Sequence, residues 1–158
     1  MGNPLYGSNK VDNQLDHAGG AIVLAAGTHT LEAADSGKDV VISAAAATTI
    51  NLPTPEKGMN FMILHAVNGA STGNVVIDTG SDSYYLKGGC TIHDTNATAA
   101  DAEILPAIEP DGNSNSVMTC ATMDTGSWIK FVSDGTVWYH TGLLATVAAT
   151  ACAYADQS

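Results

Sequence analysis

Trp128-Ile-Lys-Phe-Val-Ser-Asp-Gly-Thr-Val-Trp-Tyr-His140 is the stretch that decides the fold class. Two runs of β-branched and aromatic residues flank Asp134-Gly135, and Asp-Gly between alternating apolar runs is a strong hairpin signal. Successive side chains on a strand point to opposite faces. Ile129 and Phe131 therefore share one face, with Trp128, Lys130 and Val132 on the other. Beyond the turn, Val137 and Tyr139 face away from Trp138 and His140. Large apolar groups stand on both faces, so the hairpin is expected to be covered twice, by the core on one side and by a neighbour on the other.

The same texture runs outward from the hairpin. From Gly19 on, short runs rich in Val, Ile, Thr and aromatics alternate with turn residues. They include Thr28–Glu32, Asp39–Ser43, Thr48–Leu52, Met59–Val67, Asn74–Ile77, Thr91–His93 and Val117–Ala121. Between them lie Ser36-Gly37, Asn68-Gly69, Thr79-Gly80, Gly88-Gly89 and Asp111-Gly112, which read as turns. Strands at roughly 8–12-residue spacing with such punctuation predict an all-β domain over residues 19–145, an antiparallel sandwich or barrel. Ala44–Ala47 is too short for a helix and reads as a loop. A brief helix is expected between Ala97 and Ile108, ending before Pro106. Residues 1–18 are polar, rich in Gly and Asn, and show neither apolar period, which predicts an extended arm. The tail, residues 146–158, is too apolar to be left in water and is expected to dock on its own domain or on a neighbouring subunit.

Charge narrows the function classes. The 158 residues include 16 acids and five basic residues, all lysine, for a net charge of −11. Arginine supplies most bidentate phosphate and base contacts, so its absence in a negative field argues against nucleic-acid binding. Anionic membranes and phosphorylated substrates are disfavoured on the same ground. No stretch is long and apolar enough for a membrane helix, and Met1-Gly-Asn-Pro-Leu-Tyr6 does not read as a signal peptide. Cys90, Cys120 and Cys152 lie far apart with no CxxC spacing. They read as free thiols that fill the core, with no zinc site and no cofactor.

Two motifs invite chemistry. Asp78-Thr-Gly-Ser81 and Asp124-Thr-Gly-Ser127 repeat the tetrapeptide of pepsin-type aspartic proteases, where two carboxylates share one proton. Here the aspartates are 46 residues apart, too close in sequence to build a protease lobe between them. The same four residues are also favoured in any β-turn. Asp111-Gly-Asn-Ser-Asn115 opens like a calcium loop, but Ser116 and Thr122 stand where Gly and Glu are required. The five histidines show no ligand pairing, and no catalytic residues or metal ligands are assigned.

A family resemblance rests on three pieces in order. Thr48-Thr-Ile-Asn-Leu-Pro-Thr-Pro-Glu-Lys-Gly-Met-Asn-Phe61 is followed by Asn74-Val-Val-Ile77, and Phe131-Val-Ser-Asp-Gly-Thr-Val-Trp-Tyr139 closes the set. Spanning residues 48–142, the set resembles β-rich structural proteins of tailed bacteriophages, and a small chain of this kind is similar to their capsid decoration, or cement, proteins. The resemblance implies a homotrimer on the outer capsid surface of the virion, made in the bacterial host cytoplasm, that binds the major capsid protein without catalysis. It implies an arm in which Asn3, Pro4, Leu5, Tyr6, Asn9 and Lys10 reach the coat. It also implies a subunit interface at Trp128, Trp138, Tyr139, Leu143 and Leu144. An acidic surface would complement basic coat patches, and contact with several coat subunits at once would add multivalent stabilisation. Two other readings stay open: a tail-fibre or tail-tip module, and a glycan-binding module presenting Tyr84, Tyr85 and Trp138.

Overall fold

The first six strands alternate between two sheets. In the computed structural model, which describes residues 20–95, 104–147 and 152–157, β1 (Ile22–Leu24), β3 (Asp39–Ile42) and β5 (Asn60–His65) lie side by side in one sheet. β2 (Gly27–Thr30), β4 (Thr48–Asn51) and β6 (Val75–Asp78) lie side by side in the other. After each strand the chain crosses to the facing sheet and returns one place along, so each strand runs parallel to the one before it in its sheet. The result is a coil of three windings. The crossings fall where the sequence breaks its β pattern. Gly37 and Gly58 adopt φ of 88° and 89°, a region open to glycine and strained for other residues. Pro53 and Pro55 sit in the connection from β4 to β5, where no ladder bond is lost.

The second half closes the coil. β7 (Leu86–Asp94), β8 (Ile104–Ile108), β10 (Trp128–Ser133) and β11 (Trp138–Thr146) complete a seven-stranded sheet in the order β1-β3-β5-β10-β11-β7-β8. β9 (Val117–Cys120) and β12 (Cys152–Ala155) complete a five-stranded sheet in the order β12-β9-β6-β4-β2. The β10–β11 hairpin forms as its sequence implies. Ser133 pairs with Trp138, and the Asp134 carboxylate closes the loop by accepting from the Thr136 and Val137 amides at 2.8 and 3.0 Å.

One apolar core lies between the sheets. Val40, Ile42, Phe61, Ile63, Leu86, Phe131, Trp138 and Leu144 of the larger sheet face Ile50, Val75, Ile77, Met118 and Cys120 of the smaller. Phe61 and Trp138 meet with ring centroids 5.8 Å apart, within the range in which tilted aromatic pairs attract.

The fold is all-β, as the sequence implies, but it is not antiparallel. Five of the ten strand pairings are parallel. Alternation tells which face of a strand is buried and says nothing about the direction of its neighbour. Two further expectations are corrected. Gly88-Gly89 is no turn, since both lie inside the nine-residue β7. The pair is required by close backbone approach. A Cβ on Gly88, at φ 106°, would sit 2.1 Å from the His140 carbonyl oxygen, and one on Gly89 would sit 2.6 Å from that of Ile108. In place of a helix ending before Pro106, residues Ile104–Ile108 form the edge strand β8. A register shift between Cys90 and Ile92 leaves Pro106 beside an irregularity, where a residue lacking an N–H is tolerated. The remainder of that helix expectation, 97–103, lies outside the described residues, as does the arm, residues 1–18. In the tail, β12 adds to the chain's own smaller sheet beside β9.

Candidate functional site

The outer face of the larger sheet carries a row of apolar side chains. Cross-strand register aligns Val23 with Val41, Val41 with Leu64, Leu64 with Trp128 and Trp128 with Leu143. These residues point away from the core because their chain neighbours, Leu24, Val40, Ile42, Ile63, Ile129 and Leu144, point into it. Val23 is 64% exposed at the sheet edge, and Val41, Leu64, Trp128 and Leu143 are half-buried. Nearer the hairpin turn the same face shows Met62, Lys130 and Thr141 in one row, then Asn60, Val132 and Tyr139 in the next. Val132 is 40% and Tyr139 43% exposed, and the Tyr139 hydroxyl donates to Asp134 at 3.2 Å. Lys87 completes this patch, its ammonium 5.2 Å from the Tyr85 ring centroid, a cation–π geometry.

The sequence-derived interface residues divide between inside and outside. Trp128, Tyr139 and Leu143 lie on this outer face. Trp138 and Leu144 do not: both are fully buried in the chain's own core and offer nothing to a neighbour. The reason is register. Phe131 pairs with His140, so the His140 and Trp138 face of β11 joins the Phe131 and Ile129 face of β10 inside the molecule. Trp138 is thereby also withdrawn from any exposed aromatic line with Tyr84 and Tyr85. The arm residues Asn3, Pro4, Leu5, Tyr6, Asn9 and Lys10 lie outside the described residues. Sequence reasoning missed Val23, Val41 and Leu64, since only the parallel register of the coil brings them into line with Trp128.

The repeated Asp-Thr-Gly-Ser segments are not brought together. Asp78 ends β6 opposite Val117, where it accepts from the Gly80 amide at 2.7 Å and from the Gln157 side chain at 3.0 Å. Asp124 is reached only after β9 has run back past Cys120, which lies opposite Val75. Asp124 accepts from the Thr95 hydroxyl at 2.9 Å. The two carboxylates thus stand beyond opposite ends of the same strand pair, and three strand steps alone span about 10 Å. A shared proton needs oxygens about 3 Å apart.

The calcium-like loop is closed on itself. One Asp111 oxygen accepts from the amides of Asn113, Ser114 and Asn115 at 3.0–3.1 Å, and the other from the Ser114 hydroxyl at 2.8 Å. These amide donors hold the Asp111 carboxyl well below the usual carboxylate range. The carboxylate is engaged by its own loop, and the described residues hold no cluster of His, Cys, Asp and Glu arranged for a metal ion.

A cluster the sequence did not announce lies inside. Cys120 and Cys152 are register partners on β9 and β12. Cys90 faces them from β7 of the other sheet, and Tyr154 lies between, its hydroxyl 2.6 Å from the His140 ring. His140 also stacks on Phe131 at 5.6 Å. Burial pushes the His140 pKa down to about 4 and the Cys90 thiol up to about 12. Cys120 is raised by its contact with Cys152 and by burial, and Tyr154 is raised chiefly by burial. Buried thiols held protonated are poor nucleophiles, so the cluster as it stands is a packing unit. Its members sit at positions 90, 120, 140, 152 and 154, and the one local signal is the Cys152, Tyr154 alternation. Comparison with family models, with curated proteins and with solved structures finds no match to this chain.

Proposed function

We propose that the protein is a non-enzymatic capsid decoration protein, a homotrimer that sits on the outer surface of a phage head and strengthens contacts between major capsid protein subunits. The apolar row Val23, Val41, Leu64, Trp128 and Leu143 carries this reading. Contiguous apolar surface of this kind on a domain with its own complete core favours a protein contact. Around it the chain is strongly acidic, with a net charge of −11. That charge would steer docking to basic coat patches and keep the protein off DNA. An all-β body of two sheets supports this reading, in which the body is a sandwich, the row is the subunit interface and the arm of residues 2–17 reaches the coat.

Light scattering of the purified chain at two salt concentrations is the first test, with a mass near three times 16.1 kDa expected. The double variant Leu64→Ser, Trp128→Ser is expected to give a folded monomer. A trimer that survives this change would remove the row from the interface, and a wild-type monomer that also ignores empty capsids would overturn the decoration reading. Deletion of residues 2–17 is expected to abolish binding to capsids while leaving the trimer intact. Binding at wild-type strength would take the arm out of the mechanism.

A further inference from the structure

We infer that Cys120 and Cys152 form a cross-strand disulfide under oxidising conditions, covalently fastening the C-terminal strand β12 to β9, while Cys90 remains a thiol. The ladder geometry selects this pair. Asn74, just before β6, and Asp78 at its end give their carbonyls to the β4 side, to the amides of Thr48 and Leu52, so Val75 and Ile77 turn their backbone groups towards β9. Val75↔Cys120 and Ile77↔Met118 are therefore the hydrogen-bonded pairs of the β6–β9 ladder. Just before β9 the Ser116 carbonyl keeps this phase, accepting from the Thr79 amide at 3.0 Å, while the Ser116 amide turns to the Ala155 carbonyl at 3.0 Å. Backbone groups alternate sides along a strand, so those of Cys120 are committed to β6. Cys120↔Cys152 is then a non-hydrogen-bonded pair of the β9–β12 ladder. In such pairs the Cα atoms lie about 4.5 Å apart with the side chains leaning together. That falls inside the roughly 4.4–6.8 Å window a disulfide spans. Both side chains point to the same face, Cys152 packing against the core that contains Cys120. Cys90 belongs to the facing sheet. Packed sheets stand about 10 Å apart, and Cα atoms more than about 7 Å apart cannot be bridged without moving the backbone.

Access sets the order of events. Cys152 is half-buried on an edge strand, and Cys120 is 1% exposed. With a low-molecular-weight disulfide such as oxidised glutathione, the Cys152 thiolate attacks one sulfur and expels a glutathione thiolate. The Cys120 thiolate then attacks the Cys152 sulfur and expels the second. Two protein thiols are oxidised, one glutathione disulfide is reduced to two glutathione thiols, and the two protons pass to the leaving thiolates. The raised thiol of Cys120 makes the second step slow at neutral pH and faster as pH rises.

The test uses the full chain in glutathione buffers of graded potential, with thiols counted after denaturation and the bridge mapped by peptide mass. The reduced chain shows its three free thiols. The oxidised chain is expected to show one, with a mass lower by two hydrogens and a thermal midpoint higher by about 10 °C, the scale for clipping a loop of this length. Cys90→Ser is expected to leave the bridge intact, whereas Cys152→Ser, at the more accessible position, is expected to form none. Three thiols persisting at the most oxidising potential would overturn the inference, as would a mapped bridge that includes Cys90.

Discussion

The coil of β1 to β6 and the closing half of β7 to β12 build one core by opposite means. In the coil, order in sequence is order in space: each strand touches the strand one winding earlier, over three or four residues. In the closing half the chain returns from a distance. β7 pairs in parallel with β11 over nine residues although more than 40 residues separate their partners, and β10 is inserted between β5 and β11. Short-range windings cost little loop-closure entropy, and long-range pairing costs more and must be repaid by burial. The closing half accordingly supplies the largest core side chain, Trp138, and the closest backbone contacts, at Gly88 and Gly142.

That contrast breaks most violently at a glycine. A Cβ on Gly142 would lie 2.3 Å from the Trp128 carbonyl oxygen in the neighbouring strand. Gly142→Val is expected to remove cooperative unfolding altogether, a loss above about 5 kcal/mol, seen as a flat thermal scan. Next in size, Trp138→Ala is expected to cost about 3–5 kcal/mol and Leu24→Ala in the first winding about 2–3. Urea midpoints give the two costs, and hydrogen exchange separates their reach. Leu24→Ala should speed exchange in β1 and β3 while leaving β7 and β11 protected, because a terminal winding can open alone. Uniform loss of protection in both halves would show that the coil has no independence.

A smaller effect follows pH. Burial lowers the folded pKa of His140 to about 4, and lowers that of His65 as well. The unfolded imidazole titrates near 6.5. Burial favours the neutral ring of both in the fold; for His140 the contribution is complete above about pH 6.5 and is lost as pH falls towards 4, and His65 acts in the same direction. For His140 the shift corresponds to about 3 kcal/mol. His140→Gln keeps a partner for Tyr154 and is expected to flatten the dependence between pH 6.5 and 4. An unchanged slope would place the proton uptake elsewhere. The lowered carboxyls of Asp35, Asp82, Asp111 and Asp134 act in the lower window, stabilising above about pH 4 and losing that effect below it.

The closing half was the more legible of the two in the sequence. Asp134-Gly135 between alternating runs defines its hairpin, and the pairing of Trp128, Lys130 and Val132 on one face is correct. What stayed hidden is which surface each face meets. Trp138 and Leu144 read as interface residues because size and apolarity are the same signal whether the neighbour is a subunit or the chain's own second sheet. In the coil, the strands Asp39–Ile42, Thr48–Asn51 and Asn60–His65 are legible, and their parallel order is not. A period of two carries no record of direction. Gly88-Gly89 misleads for a similar reason, since glycine marks both turns and close approach, and only the carbonyl of His140, fifty-two residues on, distinguishes them. Cys120 and Cys152 become partners only through the β9–β12 register.

The winding has a consequence for how such a molecule changes size. Val23, Val41 and Leu64 are supplied one per winding, 18 and 23 residues apart. An inserted winding of that length would raise the stack by one strand spacing, about 4.8 Å, and would lengthen the outer apolar row by one residue. It would leave the nine-residue β7–β11 ladder untouched. The fold can therefore grow or shrink in whole steps, with the height of the body and the width of its contact strip locked to the same increment.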